Sequence, residues 1–168
     1  MIKMNLFVIM IIAILISGCA SHVSHTVMEV HSEETFITDM IPHHQEAVDA
    51  SKIILSTENE ELKELANNII AAQEQEIEMM NNWLDEWYPQ SSYKAMYHPM
   101  MPDLSSLSGE ERDKAYLEGM IAHHQMAVQM AQDVLKLNPR PEVKELAENI
   151  ITTQNAEIDQ MRQMLKEY

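Results

Sequence analysis

The chain spells one helical hairpin twice. Phe36-Ile37-Thr38-Asp39-Met40-Ile41-Pro42-His43-His44-Gln45 returns eighty residues later as Tyr116-Leu117-Glu118-Gly119-Met120-Ile121-Ala122-His123-His124-Gln125. Lys63-Glu64-Leu65-Ala66-Asn67-Asn68-Ile69-Ile70 returns 81 residues later as Lys144-Glu145-Leu146-Ala147-Glu148-Asn149-Ile150-Ile151. Gln73, Glu76, Ile77 and Met80 likewise recur as Gln154, Glu157, Ile158 and Met161. The step from 80 to 81 places one inserted residue in the second hairpin turn. Each copy carries an apolar stripe that it cannot bury alone, so the two are expected to dock as an antiparallel four-helix bundle. With 3 Gly, 6 Pro and 5% aromatics among 168 residues, and Ala, Leu, Ile, Met, Glu and Gln abundant, the fold class is all-α in one domain.

Local signals divide residues 32–168 into a first repeat (33–88), a loop (89–107) and a second repeat (108–168). Ser32 can cap the first helix, with Glu33 and Glu34 in its first turn. Its seam is Ile37, Met40, His44, Ala47, Ser51 and Ile54, in alternating steps of three and four. Thr57 with Glu60 reads as a capping box for the second helix, whose seam is Leu62, Leu65, Ile69, Ala72, Glu76, Met79 and Trp83. Ser108 with Glu111 reads as another box, and the third seam is Leu117, Met120, His124, Ala127, Ala131 and Val134. Asn138-Pro139-Arg140-Pro141 ends that helix, the prolines suiting the first turn of the fourth.

The polar residues of the seam carry the chemistry. Met40 stands three residues before His43 and four before His44, so all three lie on or beside one helix face; Met120, His123 and His124 repeat the arrangement. Counted back from the hairpin turn, Met40 should face residues 73 to 76 within a turn or two, which brings in Gln73 and Glu76, and by repetition Gln154 and Glu157. Met80 and Met161 lie one turn further on. A carboxylate on a seam is costly unless it is paired or metal-bound. Docking by a pseudo-twofold would gather up to four His, two to four Met, two Glu and two Gln, at one centre or two. Di-iron bundles place Glu three residues before the ligating His; here Met40 or Ile41, and Met120 or Ile121, stand there. Thioether with imidazole favours Cu(I), and by extension Ag(I), over iron or manganese, while zinc could use His and Glu. The plain alternatives are that methionines fill the core, that histidines are merely hydrogen-bonded, and that Glu76 pairs with a protonated His44. The loop adds Met96, His98, Met100 and Met101, either an accessory copper collector or methionines packed over the bundle end.

The net charge of −16 excludes nucleic-acid binding, which needs clustered Lys and Arg, and suits a surface that attracts cations. Residues 1–18 read as a signal peptide: Lys3, an apolar run from Leu6 to Ile16, then Leu15-Ile16-Ser17-Gly18-Cys19. That ending resembles the bacterial lipobox, which implies cleavage before Cys19, its lipidation, and residues 19–31 as a tether bearing His22, His25 and His31. Export to the cell envelope, with the membrane held through the lipid, follows as an expectation. Beyond Cys19 the chain has no thiol, so soft-metal chemistry falls to Met and His.

The pattern Met-Ile-Pro-His-His-Gln-x-Ala followed by Leu-Ala-x-x-Ile-Ile-x-x-Gln-x-x-Glu-Ile-x-x-Met resembles domain-of-unknown-function family 305 of bacteria, over residues 33 to 168 in both repeats. The resemblance implies a ferritin-like fold, export, and copper binding of the kind found in some periplasmic members. Its motif positions are Met40, His43, His44, Met120, His123 and His124, supported by Glu76, Met80, Glu157 and Met161. The second copy departs at Ala122, where the first has Pro42, a residue expected to kink its helix and make the half-sites unequal. Three functions therefore stand: copper sequestration or transfer, with another copper-handling protein or a second copy as partner; a ferritin-like dinuclear oxidoreductase; and a metal-free interaction module. No nucleophile or phosphate loop marks an enzyme of another kind.

Overall fold

The computed structural model describes residues 30–168. The expected signal peptide, Cys19, His22, His25 and most of the tether lie outside them. Among the described residues there are four α-helices, α1 (Glu33–Ile54), α2 (Glu60–Trp87), α3 (Gly109–Leu135) and α4 (Pro141–Met164), one short 3-10 turn (Leu104–Ser106), and no strand. None of these helices is long and apolar enough to cross a membrane.

The helix ends follow the sequence with two corrections. Ser32 caps α1, accepting the Thr35 N–H while the Thr35 side chain accepts the Ser32 N–H. The residue capping α2 is Asn59 rather than Thr57: its side chain accepts from the Leu62 N–H at 3.1 Å. Thr57 instead donates its hydroxyl to Asp113 on α3 at 2.5 Å, both side chains being buried between the hairpins. Ser108 sits at the start of α3, but its side chain makes no capping bond, so the second expected box is not formed. Pro141 occupies the first turn of α4, where its missing N–H costs nothing. α1 runs through Pro42 as one helix.

Two apolar cores lie end to end. One gathers Phe36, Ile37, Met40 and Met80 with Ala127, Met130, Val134, Leu146 and Ile150. The other gathers Ala47, Ile54, Leu62, Leu65 and Ile69 with Tyr116, Leu117, Met120, Ile158 and Met161. The first half of α1 therefore shares a core with the last half of α3, and the first half of α4 with the last half of α2, so adjacent helices run antiparallel. α1 and α3 pack closely, helped by Ala47, Ala50, Ala127 and Ala131, whereas α2 and α4 meet over much less of their length. Because α2 ends where α1 begins, residues 88–108 must travel the length of the bundle to reach the start of α3. This single long crossover is the connection found in ferritin-like bundles.

One pair of core positions shows how the copies diverge together. Tyr116 and Ser51 share a buried hydrogen bond at 2.7 Å between α3 and α1. Their repeat counterparts, Phe36 and Ala131, sit in the other core and carry no hydroxyl. Tyr116→Phe alone should destabilise the protein by about 1–3 kcal/mol by leaving the Ser51 hydroxyl unpaired. Tyr116→Phe with Ser51→Ala should recover most of that loss. Denaturant unfolding of the two single variants and the double variant checks the coupling.

Candidate metal centre

Between the two apolar cores lies a polar layer. His43 and His44 come from α1, His123 and His124 from α3, and all four are fully buried. The His43 and His123 rings lie against each other at the middle, with centroids 3.7 Å apart and planes inclined by 36°. His44 and His124 flank them, their ring centroids 6.1 and 6.2 Å from those of His43 and His123. The sequence left one centre or two open; the four imidazoles form one continuous layer.

Each outer histidine meets a carboxylate of its own hairpin. His44 Nε2 lies 2.7 Å from Glu76 Oε2, and His124 Nε2 lies 2.8 Å from Glu157 Oε2. The pairing of Glu76 with His44 anticipated from the sequence is therefore present in both repeats. Met40 shares its core with Met80, and Met120 shares the other with Met161. The returning helix thus brings Met80 to the level of Met40 and Glu76 to the level of His44. That is one turn beyond residues 73–76, within the turn or two that the count from the hairpin allowed. Gln73 and Gln154 are buried in the same stretch.

The layer is short of partners. Among the described residues, both ring nitrogens of His43 and His123, Nδ1 of His44 and His124, and Oε1 of Gln73 and Gln154 are buried without a hydrogen bond. Each such group costs about 1–3 kcal/mol. Burial, reinforced by the three neighbouring imidazoles, holds His43 well below its ordinary pKa. Burial lowers His123 to about 4 against the opposing effect of Glu46. Both central rings are therefore neutral at neutral pH, with a lone pair available to a metal. Among the described residues no three of His, Asp and Glu are grouped so as to hold a metal ion; the cores on either side of the layer contain the thioethers of Met40 and Met80, and of Met120 and Met161.

Glu46, which the sequence reading passed over, ties the layer to the crossover. Its Oε2 lies 3.3 Å from His123 Nε2, off the hydrogen-bond axis. It accepts the Tyr97 hydroxyl and the backbone N–H groups of Met100 and Met101. Burial opposes its ionisation, but these contacts with His123, Tyr97, Met100 and Met101 hold its carboxyl at about 2. Two turns earlier on α1, Asp39 accepts the Tyr93 hydroxyl at 2.8 Å and the Met96 N–H at 2.7 Å. Across the bundle, Gly119 makes room for the strap: a Cβ there would fall 2.7 Å from Pro102 and 3.3 Å from the Met101 sulfur. The counterparts of Asp39 and Glu46 in the second repeat are Gly119 and Met126. The loop methionines divide accordingly. Met101 packs on the core, Met100 is half-buried, and Met96 is 66% exposed with His98 exposed nearby. The loop lies along the α1–α3 face rather than over a bundle end.

A family model described as a domain of unknown function, DUF305, matches residues 33–165. This chain belongs to the DUF305 family. Among solved structures, CopM in the Cu(I)-bound form is 37% identical, with a TM-score of 0.74, over 81% of this chain and 96% of that one. CopM in the Ag-bound form is 38% identical, with a TM-score of 0.72, over 82% and 97%. A DUF305 fragment from Deinococcus radiodurans is 29% identical, with a TM-score of 0.67, over 83% and 99%. Protein L153 of Acanthamoeba polyphaga mimivirus is 44% identical over 55 residues, which span 33% of this chain and 36% of that protein.

The anchoring of this DUF305 crossover is testable without metal. Glu46→Ala should release the strap, lower stability by about 2 kcal/mol through loss of charge-assisted hydrogen bonds, and open the exposed Lys94–Ala95 bond to trypsin. Limited proteolysis followed by mass spectrometry reads the cut.

Proposed function

We propose that this chain binds copper as Cu(I) in its histidine layer, for sequestration or transfer in the cell envelope. The observation that carries the reading is the set of six buried imidazole nitrogens that make no hydrogen bond, bracketed by buried methionines on both sides. A soft monovalent cation turns that cost into a bond, and imidazole with thioether is the donor set it prefers. Met40, His43 and His44 with Met120, His123 and His124 would hold the ion, supported by Met80 and Met161. Glu76 and Glu157 orient the outer rings as second partners. CopM, whose chain matches this one along nearly its whole length, has been solved with Cu(I), Cu(II) and Ag bound, and that likeness supports copper as the cargo. The lipobox-like ending at Cys19 supports an exported, lipid-anchored protein facing the compartment where copper arrives. The exposed Met96 and His98 suit a weaker collecting role. The dinuclear iron or manganese oxidoreductase reading needs a carboxylate where Met40 and Met120 stand, whereas zinc would draw on the His44–Glu76 and His124–Glu157 pairs.

Under reducing conditions the purified domain should take up Ag(I) and Cu(I). Free metal at a hundredfold excess over Kd should add about 2.7 kcal/mol of stability, or roughly 5–10 °C in melting temperature. Zn(II) should add far less. Met40→Leu with Met120→Leu, a volume-conserving change, should keep the fold and lose most of the Ag(I)-induced shift. Calorimetric titration alongside thermal melts checks this, and a wild-type domain that neither binds nor stabilises with either monovalent ion refutes the reading.

A further inference from the structure

The histidine layer is closed on the α1–α3 face by the strap, since Tyr97 stands edge-on to His43 at 5.5 Å between ring centroids and Met101 fills the space above Gly119. The opposite face is different. Between α2 and α4 a small cavity of about 10 Å³ is lined by Ala72, Gln73, Glu76, Thr153, Gln154 and Glu157. That is near the smallest space that holds one water. Its inner wall is the pair Gln73 and Gln154, each 3% exposed, whose amide oxygens have no partner. Glu76 and Glu157 reach from this cavity to His44 and His124, with side chains 21% and 13% exposed. Ala72 and Thr153 form the outer rim and are exposed.

Outside the rim the groove widens into a surface cavity of about 410 Å³ that shares Ala72, Glu76 and Thr153 with the inner one. Met79 and Trp83 bring a thioether and an aromatic face from α2, and Glu142 and Glu145 bring carboxylates from α4. Glu76, Met79 and Trp83 follow one another at helical spacing on one face of α2. The repeat counterparts of Met79 and Trp83 are Gln160 and Met164, so the widening belongs to one end of the groove only.

We propose that the α2–α4 groove is the entrance through which a soft monovalent cation reaches the histidine layer. The outer cavity gathers the ion by charge, thioether and ring face. The Gln73 and Gln154 oxygens replace its water at the throat, and Glu76 and Glu157 pass it to His44 and His124. Three features favour this face: α2 and α4 pack over much less of their length than α1 and α3, it carries buried oxygens without a hydrogen bond, and no loop among the described residues lines it. The proposal rests on the Cu(I) reading above, and the test separates the two.

Ala72→Leu with Thr153→Leu fills the rim at two exposed positions that hold no ligand. Cu(I) transfer from its bicinchoninate complex, followed by loss of the chelator's colour, gives both a rate and an endpoint. The filled variant should load at least tenfold more slowly than wild type, to the same endpoint and with an unchanged metal-free melting temperature. Ala72→Lys with Thr153→Lys should load more slowly still, and added salt should restore part of its rate. Equal rates for wild type and both variants would overturn the entrance while leaving the Cu(I) reading intact. So would a lower endpoint without slowing, which would make the groove part of the store. Faster loading of Glu46→Ala with no effect of filling would place entry under the strap. Absence of loading in wild type would overturn the Cu(I) reading itself.

Discussion

Four imidazoles buried in one layer are the constraint from which the rest of this bundle follows. Imidazole is too polar to sit among Leu and Met without partners, so every helix must present something to it at one height. α1 and α3 bring the rings, and α2 and α4 bring Glu76 and Glu157 at the same level. A slip of one helical turn between α1 and α3 would push a ring into one of the apolar cores, and the same slip within a hairpin would strand a carboxylate from its histidine. The layer therefore sets the register of both hairpins and of their docking, a role attested for buried polar groups in other helical assemblies. The two cores on either side supply the stability that the layer consumes.

The duplication explains the layer, and the crossover explains where the duplication fails. The pseudo-twofold axis passes through the α1–α3 face and exchanges the two helices, but a single connection running along that face cannot itself be symmetric about the axis. Positions under the strap must therefore differ between copies. On α1, Asp39 and Glu46 accept N–H and O–H groups from residues 93–101. On α3, their counterparts are Gly119, which leaves room for Met101 and Pro102, and Met126, half-buried against the core that holds Met40 and Met80. Pro42 and Ala122 differ at the same face, Pro42 lining the apolar hollow beside Tyr97 and Met101.

What could be read from the sequence was whatever obeyed helical period and repetition. The four helices, the antiparallel pairing, the buried histidines and the partnership of Glu76 and Glu157 with them all follow from spacing of three and four and from the constant offset. Glu46 and Asp39 escaped because their meaning depends on a loop with no period. On a helical wheel each sits on the polar side, where a carboxylate is ordinarily solvated, and only the chain passing overhead makes it an anchor. Gly119 was hidden in the same way, since a mid-helix glycine carries no sign of what lies above it. The departure of Glu46 and Asp39 from repeat symmetry was the one available signal. Thr57 misled for a related reason: capping is a local rule, and a buried aspartate 56 residues away outbid it.

The same asymmetry bears on how the layer meets a cation. His123 has a carboxylate 3.3 Å from its Nε2, and that carboxylate is ionised across the whole neutral range, held so by Tyr97 and by two backbone N–H groups. Among the described residues His43 has no such neighbour; it faces the edge of the Tyr97 ring, and the residue matching Glu46 on its side of the axis is a methionine. A negative charge beside one imidazole raises its basicity and fixes its orientation, while the other ring is tuned by burial and by its neighbours alone. The two copies of Met-Ile-x-His-His-Gln therefore offer chemically different nitrogens within one layer. The difference originates in the loop, so the strap that breaks the symmetry of the fold is also what makes the two half-sites unequal.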